Sequence, residues 1–124
     1  MKNESQHRVL IVDDEEDLRT LLGEVLEGAG YAVSTASDGL EALELLKHQE
    51  FDAALLDIQM PNMNGMQVLK YITEHHPAMK SIILTGYADL GHAEEARGSG
   101  AADFIGKPYT LENVIGSLQR SLAH

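Results

Sequence analysis

The sequence predicts an α/β fold, with one parallel sheet wound on both faces by helices in a single domain of 124 residues. Two observations carry that reading. Short apolar runs of β-forming residues alternate with stretches in which leucine, valine or isoleucine recur at helical spacing, and the connections are short, so right-handed crossovers must join the strands. Charged residues also stand at or just past the ends of three runs: Asp13 and Asp14 after Val9–Val12, Asp57 after Ala53–Leu56, and Lys107 beyond Phe104 and Ile105. Neighbouring parallel strands would gather these four side chains at one carboxyl edge, where open α/β sheets place their ligand sites.

Residues 1–7 are polar and are expected to form a flexible N-terminal tail. Val9–Val12 is apolar throughout, as a strand covered on both faces must be. Leu18, Leu21, Leu22, Val25 and Leu26 then make a helical stripe; Glu15, Glu16 and Asp17 suit its first turn, and Gly28 or Gly30 ends it. Tyr31–Thr35 reads as the second strand, and Asp38 to Glu41 as the capped start of a helix that turns Leu43 and Leu46 inward. Phe51–Leu56 is the third strand. Pro61, Asn62, Asn64 and Gly65 mark a loop before a helix over Met66–His75, which stops ahead of Pro77. Ser81–Leu84 is the fourth strand. Residues 89–99 form the weakest helix, because two internal glycines cost roughly 1 kcal/mol each against alanine and only Ala93 and Ala96 face inward. Ala102–Ile105 is the fifth strand, and Thr110 caps a last helix with Leu111, Val114, Ile115, Leu118 and Leu122 on one stripe.

Composition narrows the function. Hydrophobic residues at 44% and charged residues at 23% are ordinary for a globular fold that can bury its own core. Twenty acidic against nine basic residues give a formal charge of -11, so nucleic acid phosphates would be repelled and direct binding by this domain is not expected. Without cysteine there is no disulfide, zinc–thiolate site or thiol nucleophile. The polar N-terminus and the absence of any apolar stretch near the roughly 18 residues needed for a membrane span point to a cytoplasmic protein with no membrane partner.

Three carboxylates at one edge repel one another unless a cation joins them, and oxygen ligands suit a hard cation, Mg2+ above all. Asp13 or Asp14 alone would be read as a helix N-cap, since aspartate before a helix is common. Asp57 has no helix immediately after it, so capping explains it poorly. A carboxylate beside a cation and a lysine can act as nucleophile on a phosphoryl group, a reaction that depends on positioning and charge neutralisation. Thr85, at the end of the fourth strand, offers a hydroxyl to a phosphoryl oxygen, and Gly86 admits close backbone approach. Lys107–Pro108 is a candidate cis peptide. Asp52 should lie roughly 16 Å from Asp57, at the opposite end of its strand, and Asp103 is expected to be solvated. The six histidines are dispersed, with His75 and His76 adjacent rather than one helical turn apart. Met60, Met63 and Met66 could offer an adaptable contact surface.

Four segments, VLIVDDEED, LLDIQMPNMNG, ILTGYAD and GAADFIGKP, occur in the order and spacing of one family, and the chain resembles the receiver domain of two-component response regulators over nearly its whole length. The resemblance implies a (βα)5 receiver domain over residues 1–124, with a flavodoxin-like strand order 2-1-3-4-5. It implies that Asp57 is the phosphoacceptor. Mg2+ would be held by Asp14, Asp57 and the Gln59 backbone carbonyl, with Asp13 acting through water. Thr85 and Lys107 would contact the phosphoryl group, and backbone N–H groups at Ile58 and Gly86 would complete its cradle. Phe104 takes the place of the aromatic switch residue that works with Thr85; where relatives carry tyrosine, it lacks the hydroxyl. Gln59 and Tyr87 fall where the family tunes dephosphorylation.

The implied function is a phosphorylation-controlled switch that accepts a phosphoryl group from a phosphohistidine. Its implied partners are a sensor histidine kinase or histidine phosphotransfer protein, and an output domain or protein reached through the helix at 89–99, the fifth strand and the last helix. A phosphorylation-dependent homodimer is a further implied state. A haloacid-dehalogenase-type phosphatase also forms an aspartyl phosphate but wants a second aspartate where Gln59 stands. A flavin mononucleotide carrier of the same strand plan lacks its phosphate loop here, and a phosphorylation-independent interaction module would leave every chemical position unused.

Overall fold

The computed structural model describes residues 6–58, 65–86 and 100–123. Their elements run β1 (Arg8–Val12), α1 (Glu16–Gly28), β2 (Ala32–Ala36), α2 (Gly39–His48), β3 (Ala53–Asp57), α3 (Gly65–His75), β4 (Lys80–Gly86), β5 (Asp103–Lys107) and α4 (Leu111–Leu122). The strands form one five-stranded sheet in the order β2-β1-β3-β4-β5, every pairing parallel. This is the doubly wound order expected from the sequence. The helix expected at 89–99, the loop at 59–64 and residues 1–5 of the tail lie outside the described residues. At His7 the chain is already tied to the sheet, its carbonyl accepting from the Ala32 N–H at 2.9 Å.

Successive residues of a strand face opposite ways, so the continuous apolar runs of β1 and β3 feed two separate cores. Leu10, Val12, Ala54, Leu56 and Ile83 pack with Ala42 and Leu46 of α2 and Val68, Leu69 and Ile72 of α3. Val9, Ile11, Ala53, Leu55, Ile82 and Leu84 pack on the other face with Leu22 and Leu26 of α1 and Val114 and Leu118 of α4. Each valine, leucine or isoleucine among them contributes about 1.5–3 kcal/mol on burial, which fixes the positions of the polar residues that end the strands.

The helix ends follow the local chemistry. Asp38 accepts from the Glu41 N–H at 2.8 Å while the Glu41 carboxylate accepts from the Ser37 N–H at 2.7 Å. Thr110 and Asn113 form a reciprocal capping box at α4. Helix α1 closes through bonds from Gly30 N–H to the Glu27 carbonyl and from Tyr31 N–H to the Leu26 carbonyl, a Schellman arrangement that puts Gly30 at φ 102°. Strand bounds differ from expectation at both ends: β2, β3 and β5 begin later, at Ala32, Ala53 and Asp103, and β4 begins earlier, at Lys80. β4 reaches Gly86 and β5 reaches Lys107, because backbone pairing continues past the apolar residues that mark a strand in the sequence.

Candidate functional site

The sheet register assembles the rim. Val12 pairs with Leu56, so Asp13 and Asp14 leave β1 beside the end of β3; Asp57 pairs with Leu84, and Gly86 pairs with Lys107. The site therefore sits at the carboxyl ends of β1 and β3, where the strand order reverses direction. Carboxylate oxygens of Asp13, Asp14 and Asp57 all lie within 4.8 Å of one another, and no other described group of three such residues converges in this way. Asp13 is 0% and Asp57 4% exposed, whereas Asp14 faces solvent. Lys107 reaches across from β5, its Nζ 3.2 Å from Asp57 Oδ2.

Neither Asp13 nor Asp14 caps α1. The N-cap is Glu15, whose side chain makes no cap bond. Instead Asp13 Oδ1 accepts from the Glu15 N–H at 2.8 Å, and the Asp13 carbonyl accepts from Arg19 at 2.7 Å. The other carboxylate oxygen, Asp13 Oδ2, is buried with no hydrogen-bonding partner from the protein. Burial pushes the Asp13 carboxyl above its ordinary 3.8; the Glu15 N–H and Lys107 oppose that push, and the charges of Glu15 and Asp14 add to it. A buried carboxylate oxygen without a partner, on a residue clustered with two further carboxylates, fits a hard divalent cation, which takes oxygen ligands and retains water.

Thr85 is buried at the end of β4, with its backbone opposite Gly106. Phe104 is half-buried against the α2–α3 core. The Lys107–Pro108 peptide is cis. Gln59 and Tyr87, together with Met60 and Met63, lie outside the described residues, while Met66 packs partly buried on the α2–α3 core. The Ile58 N–H expected in a phosphate cradle is already donated to the Leu84 carbonyl at 3.2 Å, because the β3–β4 ladder runs one residue beyond Asp57. Asp103 is not simply solvated: it accepts from the Ser117 hydroxyl at 2.6 Å and pairs with Arg120 at 3.6 Å. Asp52 is exposed and accepts from the Arg8 N–H at 2.8 Å, at the end of β3 away from the site.

Two residues near the site drew no functional reading from the sequence. Gly65 opens α3 directly over the end of β3: a Cβ there would collide with the Asp57 carbonyl oxygen, 2.9 Å from the Asp57 carbonyl carbon and 3.0 Å from Ile58 Cα. Its place in a run of turn-forming residues concealed this. Tyr109 follows the Lys107–Pro108 pair and has a buried hydroxyl without a protein partner; it packs, partly buried, on the α1–α4 core.

Comparison with known proteins agrees with this geometry. Residues 9–119 match the family described as the response regulator receiver domain. The chain is 37% identical over 116 residues to the DNA-binding transcriptional regulator NtrC of Escherichia coli (strain K12), covering 94% of this chain and 25% of that protein. It is 39% identical over 116 residues to the transcriptional regulatory protein ZraR of the same strain, covering 94% and 26%. The chain thus spans about a quarter of the length of these relatives. A crystal structure of a response regulator receiver domain protein (CheY-like) from Methanospirillum hungatei JF-1 superposes with a TM-score of 0.92 at 33% identity, covering 96% of this chain and 95% of that one. The acidic rim, the lysine opposite it and the strand order that joins them are thus those of a signalling domain, and the chain belongs to the response regulator receiver domain family.

Proposed function

We propose that this domain is a phosphorylation-controlled switch whose acceptor is Asp57. The observation that carries the reading is the Asp57 carboxylate itself, nearly buried, 3.2 Å from the Lys107 ammonium and clustered with Asp13 and Asp14. An Asp57 oxygen attacks the phosphorus of a phosphohistidine on a kinase or phosphotransfer protein. The O–P bond forms as the P–N bond breaks, and the departing imidazole keeps the electron pair and takes up a proton. Asp14, Asp57 and the Gln59 carbonyl would hold Mg2+, with Asp13 acting through water, and the bound ion would supply positive charge that offsets the crowding of anionic oxygens. Lys107 moves its charge from the carboxylate to the new phosphoryl oxygens, and the Thr85 hydroxyl and the Gly86 N–H hydrogen-bond to them. Gln59 and Tyr87, by family resemblance, would tune the rate at which water later removes the phosphoryl group.

Thr85 and Phe104 then bias a two-state surface made of residues 89–99, β5 and α4, which meets an output domain, a separate target or a second copy of the chain. The formal charge of -11 makes direct nucleic acid contact by this domain unfavourable, so any DNA binding belongs to another segment or protein. No described helix is long and apolar enough to cross a membrane, in keeping with action in the cytoplasm beside a kinase's catalytic part.

The test is phosphoryl labelling from a small phosphodonor in Mg2+. Wild-type protein should acquire a hydroxylamine-labile label, and Asp57→Asn should acquire none. Undiminished labelling of that variant would place the acceptor elsewhere.

A further inference from the structure

Strand β2 ends the sheet on one side, with β1 as its neighbour and no described strand beyond it. The Ala32 N–H donates to the His7 carbonyl at 2.9 Å and the Ala36 carbonyl accepts from the Asp13 N–H at 3.2 Å, so Ala32, Ser34 and Ala36 turn their backbone groups to β1. Alternation along the strand then points the N–H and C=O groups of Val33 and Thr35 outward. Proteins usually blunt such an edge with charge, proline or a bulge. β2 reads Ala-Val-Ser-Thr-Ala, without charge or proline, and its register with β1 runs without a bulge. The opposite edge strand, β5, carries Asp103 and Lys107. A groove of about 470 Å3 lies between the bare strand and α1, with Val33 and Thr35 on one wall and Gly23, Glu24 and Glu27 on the other.

Glu24 and Glu27 are exposed and form no ion pair among the described residues. Arg19 also lines the groove, but its guanidinium is given to the Asp13 carbonyl at 2.7 Å. The unmatched charge beside the edge is therefore negative. We infer that the outer edge of β2 takes up an extended segment of a partner protein as an added strand, with lysine or arginine at alternate positions. Val33 and Thr35 offer that segment two donors and two acceptors, and every second side chain of the guest falls over the groove, where a cation meets Glu24 and Glu27. A second copy of this chain is the poorer occupant. Antiparallel pairing of β2 with β2 would set two α1 helices side by side, each with Glu24 and Glu27 toward the other, on domains of formal charge -11.

The test follows the amide NMR shifts of the protein as a capped peptide of alternating lysine and valine is added at physiological salt, beside a counterpart with glutamate in place of lysine. The lysine peptide should move the Val33 and Thr35 amides most, and the glutamate peptide should move neither. Thr35→Pro removes one outward donor and leaves the β1 ladder intact, so it should weaken binding about fivefold, the worth of one hydrogen bond. Glu24→Gln with Glu27→Gln alters no strand; it should weaken binding as well and flatten its salt dependence. Tm is measured for each variant, and should Thr35→Pro unfold, the glutamine pair decides alone. Unchanged affinity in the glutamine pair, equal binding of the two peptides, no binding of the lysine peptide, or largest shifts at Asp13 and Asp14 would overturn the proposal. Self-association of the wild type that Thr35→Pro abolishes would overturn it too, by giving the edge to a second copy.

Discussion

Gly65→Ala tests how closely α3 presses on the phosphoacceptor strand. Helix propensity alone says alanine should stabilise a helical position by up to about 1 kcal/mol relative to glycine. The structure reverses the sign. The new Cβ would stand 2.9 Å from the Asp57 carbonyl carbon and 3.0 Å from Ile58 Cα, whereas ordinary contact begins at 3.4 Å. Relief needs a displacement of more than half an ångström, since the Asp57 carbonyl oxygen is closer still, and the obstacles are backbone atoms at a fully buried strand rather than the tip of a flexible side chain. Overpacking of that kind costs about 1–3 kcal/mol, and rigid obstacles put it in the upper part of that range. For a domain of this size each kcal/mol lowers Tm by roughly 3–5 °C, so thermal unfolding by circular dichroism should show a fall of roughly 6–15 °C, together with slower phosphoryl labelling as the Asp57 main chain shifts. Gly28→Ala is the control: a Cβ there meets nothing within 4 Å, and the helical substitution should raise Tm by a few degrees. Equal shifts for the two variants, or a rise in Gly65→Ala, would refute the close-approach argument.

Three further outcomes follow from the charges at the rim. Lys107→Met removes the cation bonded to Asp57, whose own exposure is only 4%; because the lysine is itself 28% exposed, the loss should be about 1–2 kcal/mol rather than the 3–5 of a fully buried pair, read by urea unfolding in EDTA and narrowing when Mg2+ is added. Asp13 has a folded pKa above its ordinary 3.8, so the folded state binds the proton more tightly, and stability falls as pH rises through the raised value. Asp13→Asn should therefore exceed wild type in metal-free buffer at neutral pH, the advantage fading as pH falls towards 3.8; an advantage independent of pH would contradict this. Tyr109, with its pKa raised to about 12 from 10.0, should contribute a late step to an ultraviolet absorbance titration, and that step should vanish in Tyr109→Phe. Because the folded state again favours the protonated form, stability should decline between those two values.

The sheet was legible because its strands are apolar on both faces, a signal that Val9–Val12 and Ala53–Leu56 carry without help from their neighbours. Strand ends were less so, since the β4–β5 ladder continues through Thr85, Gly86 and Lys107, which hydropathy cannot mark. The four chemical positions could be placed at one edge because parallel strands share a direction. Detailed bonding could not: the commitment of the Ile58 N–H to Leu84 depends on register, and the contact of Asp103 with Ser117 joins residues on two elements whose facing sides no periodicity specifies. Gly65 looked like one turn former among several, and its constraint exists only because α3 returns onto β3. Tyr109 looked like a residue after a proline, and the burial of its hydroxyl without a protein partner appears only in the folded chain.

The rim is held in an unfavourable state by the core beneath it. At 4.8 Å a pair of ionised carboxylates in a medium of effective dielectric about 20 repels by on the order of 3 kcal/mol, and a single lysine cannot cancel three such groups. The fully buried residues of β1 and β3 prevent the acids from separating. A cation or a change at Asp57 therefore acts on a balance that is already tight. Lys107 is the element through which that balance reaches the far strands, because its side chain bonds Asp57 while its backbone pairs with Gly86, next to Thr85. Linkage makes this connection reciprocal: if a ligand at Asp57 favours one arrangement of the β4–β5 end by some factor, a partner that selects that arrangement must tighten the ligand by the same factor. Beryllofluoride and Mg2+ titrations with and without an output partner should show a factor clearly different from one, and a factor of one would mean that the two ends of Lys107 do not report to one another.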